Sequence, residues 1–387
     1  MRQLRTSQLR NSTVDCGSAW PSGGRPVMPE NAPFIFDVHL DLSMNALEWN
    51  RDLSRPLTEI REREAGQTDK PDRAKGTVCL PEMRRSNIGL SVGTQIARYT
   101  KRNNPLPGWH SPAQAWAQTQ GQLAWYREME QQGELAQISN LEQLEAHLAK
   151  WESGPTESLP VGYVLSLEGA DSMVTLGHLE QAYASGLRAL GPAHYGPGTY
   201  APGTGESGPL GQAGPDLLRE MERLGIILDV THLSDESLDQ AMDLFSGTVW
   251  ASHCNCRALV PGDRQLSDEQ LKRVIERDGV IGAAFDAWML IPGWKRGETT
   301  PESSGVCLSH VVDHIDYVCQ LAGNAKHACL GTDLDGGFGL EQSPGDMDSI
   351  AGLQKLPAML SGRGYSEEDI AGIMGGNAIG LLRRAWS

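Results

Sequence analysis

The chain has 387 residues, of which 39% are hydrophobic and 21% charged, a globular composition with no run near the roughly 18 apolar residues of a membrane-spanning helix. Its 33 basic and 49 acidic residues leave a formal charge of -16, which repels a phosphate backbone and argues against nucleic acid as a partner. The seven cysteines, Cys16, Cys79, Cys254, Cys256, Cys307, Cys319 and Cys329, lack the spacing of a disulfide framework or a zinc ribbon and read as free thiols in a reducing compartment.

Residues 1–30 carry Arg2, Arg5 and Arg10 among Ser, Gly and Pro and have no apolar h-region, so a disordered tail is expected there and not an export signal. Residues 31–387 read as a single domain. Phe34 to Phe36 opens a strand that runs into Asp37-Val38-His39-Leu40-Asp41, and residues 50–76 are charged enough to suggest a surface excursion. AQAWAQTQGQLAWYREME and NLEQLEAHLAKW have helical patterning; Gly162 to Leu167 is a strand ending at Glu168. The strand-like LRALGPAH ends at His194 and leads into Gly191 to Pro215, a stretch dense in Gly and Pro that is placed as a long loop.

From about residue 215 an amphipathic helix repeatedly leads through a turn into a short apolar strand. Asp216 to Leu224 is a helix ended by Gly225, and Ile226 to Val230 is a buried strand finishing at His232. Ser234 caps the next helix, TVWASH is a strand ending at His253, and Ser267-x-x-Gln270 forms a capping box for SDEQLKRVIER. VIGAAF, a helix over Leu308 to Leu321, the strand ACLGTD and one last helix, SEEDIAGIMGGNAIGLLRRAW, complete the chain. This alternation predicts an α/β fold, a (β/α)8 TIM barrel with loop insertions on the C-terminal face.

Ionisable residues stand where the strands end. His39 and Asp41, at i and i+2, project to one side of their strand and can grip one cation together. Glu168, His232 and His253 add a carboxylate and two imidazoles, a donor set that zinc accepts in sites keeping a position open for water. Five candidates exceed the needs of one ion, and Glu168 has two oxygens with which to bridge two, so a paired centre that clamps and ionises a water is expected. Asp333 in GTDLDG is the candidate proton carrier, His194 the hydrogen-bond donor to a developing oxyanion, and Arg264 the reader of a substrate carboxylate. Asp335 lies further into its loop and is given no role. A histidine after a strand is commonly structural, and D-x-D-G is commonly a turn; recurrence at one face is what favours a site. His110, His147, His178, His310, His314 and His327 read as residues of helices and loops without partners, and Cys254 and Cys256 as inert buried thiols.

In chain order, D-V-H-L-D, S-L-E-G-A, L-D-V-T-H-L-S, S-H-C-N-C-R-A-L, D-R-Q-L-S-D-E, G-T-D-L-D-G and the closing G-G-N-A-I-G-L-L-R resemble the membrane (renal) dipeptidase family, peptidase family M19, amidohydrolase-like metal-dependent hydrolases. The resemblance runs over about residues 34 to 385. It implies a binuclear zinc dipeptidase that splits a dipeptide's amide bond by a metal-bridged hydroxide. By resemblance the first-metal ligands fall on His39 and Asp41, the bridge on Glu168, the second-metal ligands on His232 and His253, the polarising histidine on His194, the carboxylate-binding arginine on Arg264 and the acid/base on Asp333. Leu40, Ala170, Tyr195 and Cys254 depart from the family's usual Asn, Gly, Asn and Ser; they surround the substrate pocket, with Tyr195 grouped among the substrate-binding residues. A dipeptide is therefore the expected partner, a homodimer is left open, and the missing export and lipid-anchor signals resemble soluble bacterial members and suggest a cytoplasmic location. Rival readings are a metal-dependent amidase or deacylase acting on N-acyl amino acids or lactams, and a barrel that binds or isomerises a peptide-like ligand without hydrolysing it.

Overall fold

Short, largely buried runs form the barrel strands, the pattern expected when helices cover one side of a parallel sheet and a filled barrel interior the other. In the computed structural model, which describes residues 32–387 except 103, 105 and 155, these are β1 (Ile35–Leu40), β2 (Ile88–Ile96), β3 (Leu135–Gln137), β4 (Val161–Glu168), β5 (Leu187–Gly191), β6 (Ile227–Asp229), β7 (Val249–Trp250), β8 (Ile281–Ala283) and β9 (Ala328–Leu330). The disordered tail expected over residues 1–30 lies outside the described residues.

Eight of the strands follow the order β7-β6-β5-β4-β2-β1-β9-β8, all pairs parallel. A bridge between Ala251, just past β7, and Ile281 of β8 brings the ends of that path together. The short β3 lies off the ring and pairs with the start of β4, Leu135 opposite Val161. With a helix after each barrel strand, this is a (β/α)8 TIM barrel.

Local chemistry sets the element ends. Ser111 Oγ accepts from Gln114 N ahead of helix 112–131, Asn140 Oδ1 accepts from Gln143 N ahead of helix 141–153, and Ser267 with Gln270 forms the anticipated capping box. Gly225 ends helix 214–224 with φ of 70°, a left-handed conformation that costs glycine little.

Three expectations are corrected. Strand β2 did not stand out, because IGLSVGTQI carries two glycines whose space is taken by others: a Cβ on Gly89 would lie 2.2 Å from Phe34, and one on Gly93 would lie 2.9 Å from Tyr126. The last helix is not continuous; Glu367–Ala371 and Asn377–Ala385 are separated by a widened turn at Gly372–Gly376, where a Cβ on Gly375 would lie 2.9 Å from the Phe36 amide. Residues 50–76 are not simply a surface excursion. Their Arg51 is fully buried and binds Glu64 at 2.8 Å and Asp72 at 2.9 Å, with Asp335 at 3.4 Å. Among the described residues no helix is long and apolar enough to cross a membrane.

Candidate metal centre

The C-terminal ends of the barrel strands bring the expected side chains into one buried cluster. His39 is the fifth residue of β1, and Asp41 follows the strand; Glu168 ends β4, while His232, His253 and Asp333 follow β6, β7 and β9. His232 and Asp333 have φ of 68° and 58°, conformations that cost non-glycine residues of order 1–3 kcal/mol and cluster at functional sites.

Glu168 lies at the middle. Its Oε1 is 3.1 Å from His232 Nε2 and 3.3 Å from His253 Nε2, and its Oε2 is 3.9 Å from His39 Nε2. His39 Nε2 is in turn 3.9 Å from Asp41 Oδ1 and 3.7 Å from Asp333 Oδ1. Three overlapping groups have a cation's spacing, His39/Asp41/Glu168, Glu168/His232/His253 and His39/His253/Asp333, with the donor atoms of each within 4.8 Å of one another. None of these groups includes a cysteine, so Cys254, whose Sγ accepts from Arg264 Nη1 at 3.6 Å, stands apart.

Burial sets the protonation states. It pushes the His39 imidazole down to about 3, aided by the positive Arg264, and pushes His232 and His253 well below the usual range. The Asp41 carboxyl is raised to about 7 by burial and then by Glu48, and Glu168 and Asp333 are raised by burial and then by Asp41. Neutral imidazoles with bare lone pairs beside acids that are costly to ionise form an arrangement that a cation would relieve. His39 Nε2 and Asp41 Oδ1 are buried with no hydrogen-bond partner, and the imidazole and carboxylate donor set suits zinc. The residues present therefore fit a metal.

Outer contacts orient the rings. His232 Nδ1 lies 2.8 Å from the Thr204 hydroxyl and His253 Nδ1 lies 2.8 Å from the Ser252 hydroxyl. A hydroxyl that accepts an Nδ1–H leaves Nε2 with a free lone pair toward the centre. Thr204 comes from the Gly/Pro-rich loop, which packs closely against the barrel: Gly203 takes the carbonyl of His194 so near that a Cβ would lie 1.7 Å from it.

Above the cluster lies a cavity of about 630 Å³ lined by His194, Tyr195, Arg264 and Asp333 among the expected residues. Arg264 is 3% exposed and its Nη2 donates to the His253 carbonyl at 3.0 Å, which leaves further N–H groups for another acceptor. The Tyr195 ring stands 4.9 Å from that of His194 and 5.0 Å from that of His232. Asp335 instead accepts from Thr77 N and Oγ1, each at 2.7 Å, and from Val78 N at 3.0 Å, a structural task.

Several residues of the site escaped the sequence reading. Arg98, Asp286, Arg296 and Phe338 also line the cavity, and Thr204 supports it. Arg98 follows β2 by two residues, so recognition of that strand would have placed it on the catalytic face. Three of the histidines read as unpartnered have buried or part-buried partners: His147 Nε2 lies 2.7 Å from the Gly89 carbonyl, His314 Nδ1 accepts from Cys256 N at 3.1 Å, and His327 Nδ1 lies 2.9 Å from the Gly279 carbonyl.

Comparison with known proteins adds an independent finding. The sequence model of the membrane dipeptidase family, Peptidase family M19, matches residues 28–386. The dipeptidase tcpJ of Claviceps purpurea is 31% identical over 234 residues, 57% of this chain and 51% of that protein, so the match spans about half of the fungal chain. A crystal structure of dipeptidase AC, a metallopeptidase of family M19, superposes with a TM-score of 0.73 at 24% identity, covering 92% of this chain and 99% of its own. A metallopeptidase from Rhodobacter sphaeroides, solved with a phosphinate mimic of the dipeptide L-Ala-D-Ala, superposes with a TM-score of 0.72 at 22% identity, covering 92% and 100%. At these identities the two structures speak for the fold.

Proposed function

Since the chain belongs to the membrane dipeptidase family, peptidase family M19, we propose that it hydrolyses the single amide bond of dipeptides with the help of two zinc ions. The observation that carries this reading is the position of Glu168, whose two carboxylate oxygens face different imidazoles, His232 and His253 on one side and His39 on the other. His39 and Asp41 would hold one ion, His232 and His253 the other, and Glu168 both. Bound there, the pair of ions would lower the pKa of a water enough for it to attack an amide carbonyl at neutral pH.

The chain's own residues do the rest. His194 donates a hydrogen bond to the carbonyl oxygen as negative charge develops on it. Asp333, at the edge of the cluster, accepts the proton of the attacking water and delivers it to the departing amine, so that water is consumed and two free amino acids leave. Arg264 pairs its remaining N–H groups with the C-terminal carboxylate, and Tyr195 borders the same space. Residues 31–387 act as one catalytic domain in this reading.

A panel of dipeptides, N-acyl amino acids and lactams, offered to the zinc-loaded protein with Glu168→Gln as control, tests it. Cleavage of dipeptides that is lost in the variant is the expected result. Turnover of the acylated amino acids or lactams alone would replace the dipeptidase reading with that of an amidase.

A further inference from the structure

Arg98 extends into the cavity from the segment that follows β2, and that segment is pinned: Trp109 N donates to the Arg98 carbonyl and Thr100 N to the Trp109 carbonyl, each at 2.8 Å. The guanidinium is held at two points. Nη1 donates to the Pro107 carbonyl at 2.8 Å, and Nη2 lies 2.7 Å from His194 Nδ1. A guanidinium offers N–H groups and no acceptor, so His194 Nδ1 must be the acceptor in this contact. A neutral imidazole that accepts at Nδ1 carries its proton on Nε2. Nε2 is the atom turned toward the metal centre, 3.9 Å from Glu168 Oε1.

The two tautomers would behave in opposite ways at that place. A bare Nε2 lone pair beside Glu168 and His232 is one more metal ligand, whereas Nε2–H cannot bind a cation and donates to an oxygen. The same ring atom, Nε2, faces the centre in His194, His232 and His253; the far nitrogen meets a hydroxyl in His232 and His253, from Thr204 and Ser252, and a guanidinium in His194. Hydroxyls can accept an Nδ1–H; the guanidinium cannot.

We propose that Arg98 is a positioning residue that locks His194 in its Nε2–H tautomer, making it a donor to the substrate carbonyl oxygen in place of a fourth metal-binding imidazole. The substrate role rests on the dipeptidase reading, but the tautomer does not.

Nitrogen-15 NMR of the zinc-loaded protein with labelled histidine, the His194 signals assigned by their loss in His194→Gln, reads the tautomer directly. The expected wild-type pattern is a bare Nδ1 and a protonated Nε2, with that pattern lost in Arg98→Met. Dipeptide kinetics should show kcat about 100-fold lower in Arg98→Met with KM changed less than about threefold, and partial recovery in Arg98→Lys, whose ammonium still donates. A wild-type His194 protonated at Nδ1 overturns the proposal even if no variant folds. So does an Arg98→Met protein that keeps both the wild-type pattern and the wild-type kcat. If the wild-type protein cleaves no dipeptide, the functional reading fails while the NMR pattern still decides the tautomer.

Discussion

Glu168 Oε1 lies 3.1 Å from His232 Nε2 and 3.3 Å from His253 Nε2, and a carboxamide in its place would turn an N–H donor toward at least one of the imidazole lone pairs proposed to hold a cation. Glu168→Gln is therefore expected to lose bound zinc and to lower kcat/KM by more than about 100-fold, the upper end of what loss of a merely supporting residue costs. Metal analysis alongside kinetics checks it. Thr204 acts one step further out, through its 2.8 Å contact with His232 Nδ1. Thr204→Val keeps the shape but removes the hydroxyl, and zinc affinity should fall about 10- to 100-fold, measured by competition with a chelator. Of these residues Glu168 was legible in the sequence because it ends a clear apolar strand, and Thr204 was not, because a Gly/Pro-rich loop gives no register from which to place a side chain.

Elements reach the site through buried charge as well as through strands. Helix 57–64 and the loops around it deliver Glu64 and Asp72 to Arg51, which also faces Asp335 in the loop that presents Asp333. Removing the guanidinium would leave three carboxylates without their common partner. Arg51→Met is expected to cost about 3–5 kcal/mol of stability, seen as a fall in the denaturant midpoint. On helix 308–322, burial depresses His314 from 6.5 to about 4. Its folded pKa lies below the unfolded one, so the stability it contributes is present above pH 6.5 and is lost as pH falls toward 4, by about 3 kcal/mol over that window. His314→Asn should flatten the pH dependence there relative to wild type; equal slopes in urea melts across the window would contradict this. Seven of the eight barrel strands were legible as apolar runs ending in polar groups. The eighth was masked where Gly89 and Gly93 make room for Phe34 and Tyr126, a packing demand that acts between segments remote in sequence.

For the whole molecule, the barrel explains why residues from 39 to 333 meet: parallel strands all end on one face, so any polar residue just past a strand end is delivered to the same place. That rule is why the convergence of His39, Asp41, Glu168, His232, His253 and Asp333 was readable from the sequence. It could not reveal Arg98 or the buried network of residues 50–76, because neither sits at the end of a strand that the sequence made visible. The same geometry ties the proposed activity to metal, since the cluster's neutral imidazoles and burial-raised carboxyls feel positive charge from the guanidiniums of Arg98, Arg264 and Arg296, which line the cavity, and none of these can accept the imidazoles' lone pairs as a metal ion does. Zinc titrated into metal-free protein, with amino acid release from a dipeptide followed at each addition, tests this most directly. No hydrolysis without metal, and a rise to a plateau at two ions per chain, is the expected result. Hydrolysis by the metal-free protein equal to that of the loaded one, or none at any zinc level, would contradict it.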